Sequence, residues 1–371
     1  MTRHLLVAAL LLKCVGAAAC PLCMGWGQPS TAQRFVSAPQ AVLAVPTEDA
    51  SRFRVIQVIK GEWPADGTVE GGYPRSGPPS GDAAPTNAKP LLVVRDDPLP
   101  AWIILGAIDT AEADWLRALG AGKRAADRNP EEWRAQVALV LPHLRDPEPL
   151  AADLSYSELA AAPYAALRTA KPQLDAAAIR QLLADPQLAA RHPLYLLLLG
   201  ICGNARDADV LERRLQAAWD SGDTVNLGCM LAADLELRGP ERVAWVESSY
   251  LADPKRSPLQ IKAALLALSV LGNTNGAIPR ERVIQSYRVF MKEHPETAGY
   301  VAPDLAAWQY WDAVPDCLAL LKSGVRQQYP ARLAMLVYLQ KSPNAKALGF
   351  SAEAAPADGK AERWNPWLGQ Q

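Results

Sequence analysis

From Ala111 onward the chain follows one pattern: a helical stretch, a break at proline or glycine, then a second helical stretch. This rhythm limits the fold more than any other feature of the sequence. Helices are predicted at 130–145 and 148–162. Paired helices follow at 175–184 with 190–202, 206–220 with 224–238, 240–252 with 257–271, 279–293 with 298–311, and 313–323 with 329–341. Gly203, Gly239 and Gly272, read as C-caps of the second helix in the first three pairs, fall 36 and 33 residues apart. A two-helix period of that size points to an α-solenoid of HEAT-like pairs, because each pair can bury its apolar face only against its neighbours. A non-repeating helical bundle is the competing arrangement. Proline opens or closely precedes helices at positions 130, 240, 258, 279, 315 and 330, where its missing N–H is no loss. Residues 194–202 are apolar on every side and too short to cross a bilayer, so they are expected to form a core helix with no solvent face.

The first part of the chain differs. Residues 53–59 are β-rich and stop at Lys60-Gly61; 41–45, 91–94 and 102–108 are further short apolar runs. Nine of the twenty residues at 71–90 are glycine or proline, which predicts a long surface loop. Few strands and one long loop suit a small barrel or sandwich. The expected fold is therefore α+β multidomain: a small β domain at 20–110, a HEAT-like α-helical repeat domain at 111–350, and a polar tail at 351–371. A length of 371 residues accommodates two domains.

Residues 1–19 read as an export signal. Arg3 and His4 precede an apolar run at 5–12, and Ala17-Ala18-Ala19 supplies the small residues of a cleavage site. A buried N-terminal helix is the alternative. Cleavage after Ala19 would leave Cys20 first, which is also where a bacterial lipoprotein carries its acyl chains. Export to the periplasm, envelope or extracellular space is thus expected, with a lipid anchor on Cys20 as the alternative and membrane contact only in that case.

The order of several short stretches is similar to that in a family of uncharacterised exported planctomycete proteins. Those proteins begin with Cys-Pro-Phe-Cys and continue into a small β domain and helical repeats. The matching residues are Cys20-Pro21-Leu22-Cys23, 53–61, 102–106, Ala162-Pro163-Tyr164, 199–203, 278–282 and 303–308, with Leu22 in place of the usual Phe. The resemblance implies architecture and export and carries no activity. The β region also resembles netrin-like or tissue-inhibitor-like OB barrels, which start with closely spaced cysteines and carry a strand ending in Lys-Gly. No cysteine lies between Cys23 and Cys202, so the disulfides that clamp those barrels cannot form here.

Little in the chain points to catalysis. Lys and Arg number 38 against 39 Asp and Glu, which gives none of the basic field a nucleic-acid partner requires. Cys20-x-x-Cys23 is the one motif with chemical content. It lacks the preceding strand of a thioredoxin site, the following His of a c-type haem, and a second ligand pair for zinc. It reads as a small disulfide, or as a lipid attachment beside a second thiol. Cys202 and Cys229 are too far apart in helical register to pair and are read, with Cys317, as buried thiols. His143, His192 and His294 each adjoin a proline at a helix break and form no ligand pair at i, i+3 or i, i+4, which reads as solvated or capping histidines. No metal, cofactor or catalytic residue is expected. Trp308 and Trp311 are read as core between repeats, whereas Trp364 and Trp367 lie in the polar tail and could dock back or meet a partner. The resulting expectation is a non-enzymatic binding or scaffold protein whose partner is a protein or envelope component. The alternatives are a thiol–disulfide protein using Cys20 and Cys23, and a hydrolase with a site where the domains join.

Overall fold

The β-branched and aromatic runs do form strands. A computed structural model of the chain describes residues 22–23, 29–49, 51–62, 67–72, 89–95, 101–253, 255–274 and 276–345. Residues 1–19, read as an export signal, lie outside them, as do Cys20, most of the 71–90 stretch and the tail with Trp364 and Trp367. The protein is mixed α and β, in two compact units: the first holds residues 27–170 and the second residues 21–26 and 171 onward.

In the first unit, strands β1 (Gln40–Pro46), β2 (Arg52–Lys60), β3 (Thr68–Gly72), β4 (Leu91–Arg95) and β5 (Trp102–Ala107) pair in the order β1-β2-β3-β5-β4, and β4 returns to β1 to close the ring. All pairings are antiparallel except β3 with β5, where Gly71 lies opposite Trp102. On β2 the side chains alternate: Phe53 and Val55 are buried while Arg52 and Arg54 are exposed, as a pleated strand with one core face requires. Phe53 and Val55 meet Val42, Ala44, Val69, Leu91, Val93 and Ile104 in one apolar cluster. Leu43, Leu92 and Val94 point to the other face and are buried as well. Helices of the same unit supply cover there: α1 (Thr31–Ser37), α2 (Ala113–Gly120), α3 (Pro130–Val140), α4 (Pro149–Ala161) and α5 (Tyr164–Thr169). Of these, α2 packs on β2 and α4 on β5.

Helices α2 and α5 fall outside the predicted helical ranges, and α1 and β3 were not anticipated either. Helix α1 falls in a region read as β, yet Ser30 and Gln33 form a full capping box at its start and Ala32, Phe35 and Val36 are buried, so a cap and packing together hold a helix too short to stand alone. Strand β3 carries one buried apolar residue, Val69, and runs into the Gly/Pro-rich stretch, so alternation was too short to register.

The helices of the second unit start and stop within a few residues of the proline and glycine punctuation. They are α6 (Ala176–Ala184), α7 (His192–Cys202), α8 (Ala205–Ser221), α9 (Leu227–Arg238), α10 (Val243–Val246, continued by a π-turn at Glu247–Leu251), α11 (Pro258–Gly272), α12 (Arg280–Glu293), α13 (Ala302–Ala307), α14 (Val314–Lys322) and α15 (Tyr329–Lys341). Capping boxes at Asn204/Asp207 and Ser257/Gln260 fix the starts of α8 and α11. At the C-caps the three glycines part company. Gly239 caps α9 at φ +81°, a backbone state that favours glycine, whereas Gly203 caps α7 in ordinary extended geometry. Gly272 is not a cap: it is the last residue of α11, and Asn273 caps.

Within this unit α7 packs on α9 and α9 on α11, with α6, α8 and α12 set against α7, α9 and α11 respectively. Residues 194–201 of α7 are all buried, as their unbroken apolar character predicts. The approach of α7 to α9 is close because Gly200 has no side chain: a Cβ there would lie 2.7 Å from the Cα of Ala233.

Several charged side chains that leave the surface are paired. In the first unit Arg128 and Glu158 are joined at 2.5 Å with side chains 1% and 2% exposed, and Gln136 donates to the same carboxylate at 2.7 Å. In the second unit Asp234, fully buried, accepts from Arg238 at 3.1 Å and Arg242 at 2.7 Å. Glu247, at the π-turn, takes both arms of Arg282 and the hydroxyl of Ser286. Partial burial works against ionisation of Glu247, but these donors win and hold its carboxyl below the ordinary value. A carboxylate lowered in the folded state adds stability that is present above its ordinary pKa and lost as pH falls through the folded one. Glu247→Gln should therefore destabilise the protein at neutral pH, with parent and variant converging as the pH is lowered through the carboxylate range. Urea unfolding at several pH values reads this directly.

Candidate functional site

The cysteine motif is the first site to place. Cys20 lies outside the described residues. Cys23 is buried and, with Leu22, belongs to the compact unit of the helices rather than that of the strands. The thiol of Cys229 on α9 donates to the carbonyl of Leu22 at 3.5 Å. A Cβ on Gly228 would sit 2.6 Å from the Leu22 side chain, so that glycine makes the seat into which Leu22 fits. Nothing in the local sequence of either partner announces this contact, since 207 residues separate them.

Burial makes Cys202 and Cys317 poor nucleophiles. Burial, with a smaller contribution from Asp207, pushes Cys202 up to about 11, and it is half-buried rather than buried. Cys317 is fully buried and burial pushes it up to about 12. Because the thiolate is the reacting species, Cys317 should resist iodoacetamide in the native protein near pH 8 and react once the chain is unfolded. Mass spectrometry of the labelled peptide checks this.

The histidines do lie at helix ends, and His294 is the C-cap of α12, but it is not solvated. His294 is buried, with Nε2 2.8 Å from the carbonyl oxygen of Leu251 and its ring stacked on Phe290. His143, in the first unit, is held in an acidic cluster. Glu112 ends the short turn Thr110–Glu112 that leads into α2, and Asp109 caps that turn through the Ala111 amide. His143 lies in the 3₁₀ turn Leu141–Arg145 that closes α3, and Asp146 follows as its C-cap. Packing of α2 on α3 brings the two turns together.

His143 Nδ1 is 2.8 Å from Asp146 Oδ2 and 3.6 Å from Glu112 Oε2, and one ligand atom from each of the three residues lies within 4.8 Å of the others. All three side chains are mostly shielded from solvent. The imidazole is held flat against Trp115, ring centroids 4.1 Å apart, and Trp115 donates from Nε1 to the Leu139 carbonyl at 3.3 Å. The second oxygen of Asp146 accepts from the Glu148 amide at 2.8 Å. The i, i+3 relation of His143 and Asp146 was visible in the sequence, but a search for histidine pairs passes over it. Glu112 could not have been found, because its place depends on how two turns pack.

Two further polar groups meet in the second unit. Tyr287 on α12 donates to Asp304 on α13 at 2.5 Å, and Trp308 donates to Asn273 at 2.8 Å while its ring stacks on Tyr287. Loss of water raises the Asp304 carboxyl, opposed by hydrogen bonds from Tyr287, Ser269 and Asn273. This arrangement fastens adjacent helices and accounts for Trp308 as packing. Compared with known protein families, curated proteins and solved structures, the chain matches none.

Proposed function

We propose that the chain is an exported binding protein of the cell envelope, with the helical unit serving as a scaffold and no catalysis of its own. The observation that carries this reading is the succession of packed helices, α7 on α9 and α9 on α11, each backed by a flanking helix. It supports a solenoid of HEAT-like pairs, an architecture that works by presenting an extended surface. The closed ring of five strands likewise supports an OB-like barrel. Both fit the resemblance to the exported planctomycete proteins, and residues 1–19 supply the export signal. The partner is a protein or another envelope component. Burial of Cys23 favours a structural role for the motif, since reactive cysteines sit in accessible, electropositive places.

The full chain freed of residues 1–19 should cosediment saturably with envelope fragments of the source cell and should not reduce insulin disulfides. Turnover in the insulin assay, or binding that never saturates, overturns the reading.

A further inference from the structure

We propose that Glu112, His143 and Asp146 bind one divalent transition-metal ion of the zinc class. The site is in the strand-bearing unit and does not rest on the scaffold reading of the other unit.

Three features carry the inference. The first is distance. Ligand atoms that share an ion at about 2.0–2.2 Å stand roughly 3.0–3.5 Å from one another. The separations from His143 Nδ1, 2.8 and 3.6 Å, bracket that range, and the third pair lies within 4.8 Å. Closing the two carboxylates onto a common ion completes the geometry. The second is charge. Two carboxylates converge on a single imidazole in a place mostly shielded from solvent, and a divalent cation neutralises both. Glu158, Asp234 and Glu247, by contrast, each meet arginine: Arg128, Arg238 with Arg242, and Arg282. The third is support around the donors. Trp115 sets the plane of the imidazole and Asp146 is braced by the Glu148 amide, the kind of outer contact that orients metal ligands.

The donor set decides the ion. Imidazole nitrogen suits zinc, copper, iron and nickel, whereas calcium and magnesium favour all-oxygen sites. Three protein donors leave at least one position for water. The imidazole must offer Nδ1 as a lone pair, so a proton carried there moves to Nε2 or leaves to solvent on binding.

Zinc binding to the full chain, stripped with chelator, tests the site by calorimetry, with cobalt(II) absorption as the reporter of coordination. One equivalent should bind, and cobalt should give visible bands. His143→Ala should weaken binding more than about 100-fold, because loss of even an outer contact costs about 10–100-fold. Glu112→Gln should weaken it too, and Glu112 makes only a long contact, so this variant keeps its fold. His192→Ala, remote in sequence from the cluster, should bind as the parent does. Failure of the parent to bind zinc, or equal binding by both the His143 and Glu112 variants, overturns the proposal. Binding by the parent that is matched by calcium overturns the assignment to the zinc class.

Discussion

Glu158→Ala should remove about 3–5 kcal/mol of stability, because it strands the Arg128 guanidinium in the interior. The partner cannot escape: both side chains are almost fully buried, and Arg128 also lies over the Trp133 ring at 4.6 Å. A buried pair is not itself a large source of stability, since desolvating two ions offsets most of their attraction. The double replacement Arg128→Met with Glu158→Leu should therefore recover most of the loss. Denaturant unfolding of the single and double variants measures the difference. Equal destabilisation by single and double changes would show that the site depends on shape rather than on charge balance.

Leu197→Ala and Leu198→Ala should each cost about 2–5 kcal/mol, through lost transfer energy and the cavity left behind. Both side chains are wholly buried on neighbouring positions of α7, so opposite sides of this helix face apolar neighbours. Against a domain stability of about 5–15 kcal/mol, each change removes a sizeable share. Cys202→Ala should cost less, since that residue is half-buried at the end of the helix. Calorimetric or chemical unfolding separates these cases, and leucine variants within a few tenths of a kcal/mol of the parent would mean that α7 is not a core helix.

What could be read without coordinates was local. Proline at the first turn, glycine after the last and an unbroken apolar run each act within a few residues, so most helices from 176 to 341 were legible to within a few residues, although 240–252 and 298–311 divide into shorter turns. Helix α1 was misread although its capping box was in plain view, because the β-rich surroundings outweighed four residues. Strand pairing was beyond reach: β3 lies between β2 and β5, and the residues of β5 are about thirty positions away. The same reason hides the acidic cluster. His143 and Asp146 are neighbours on one turn, but Glu112 joins them only when α2 settles on α3. Long-range pairing of polar groups leaves no periodic trace.

The seat of Leu22 at Gly228 sets an order of events during synthesis. Leu22 leaves the ribosome well before the surface that receives it, which is not made until α9 emerges some two hundred residues later. Until then this segment has nowhere to settle, and the whole strand-bearing unit lies in the loop that its docking closes. Closing a flexible loop of that length costs about 4.7 kcal/mol in its length-dependent part, by (3/2)RT ln n. An already folded unit inside the loop shortens the flexible portion and lowers that cost. The start of the described chain is thus placed by the middle of it, and its anchoring reports that synthesis has passed α9.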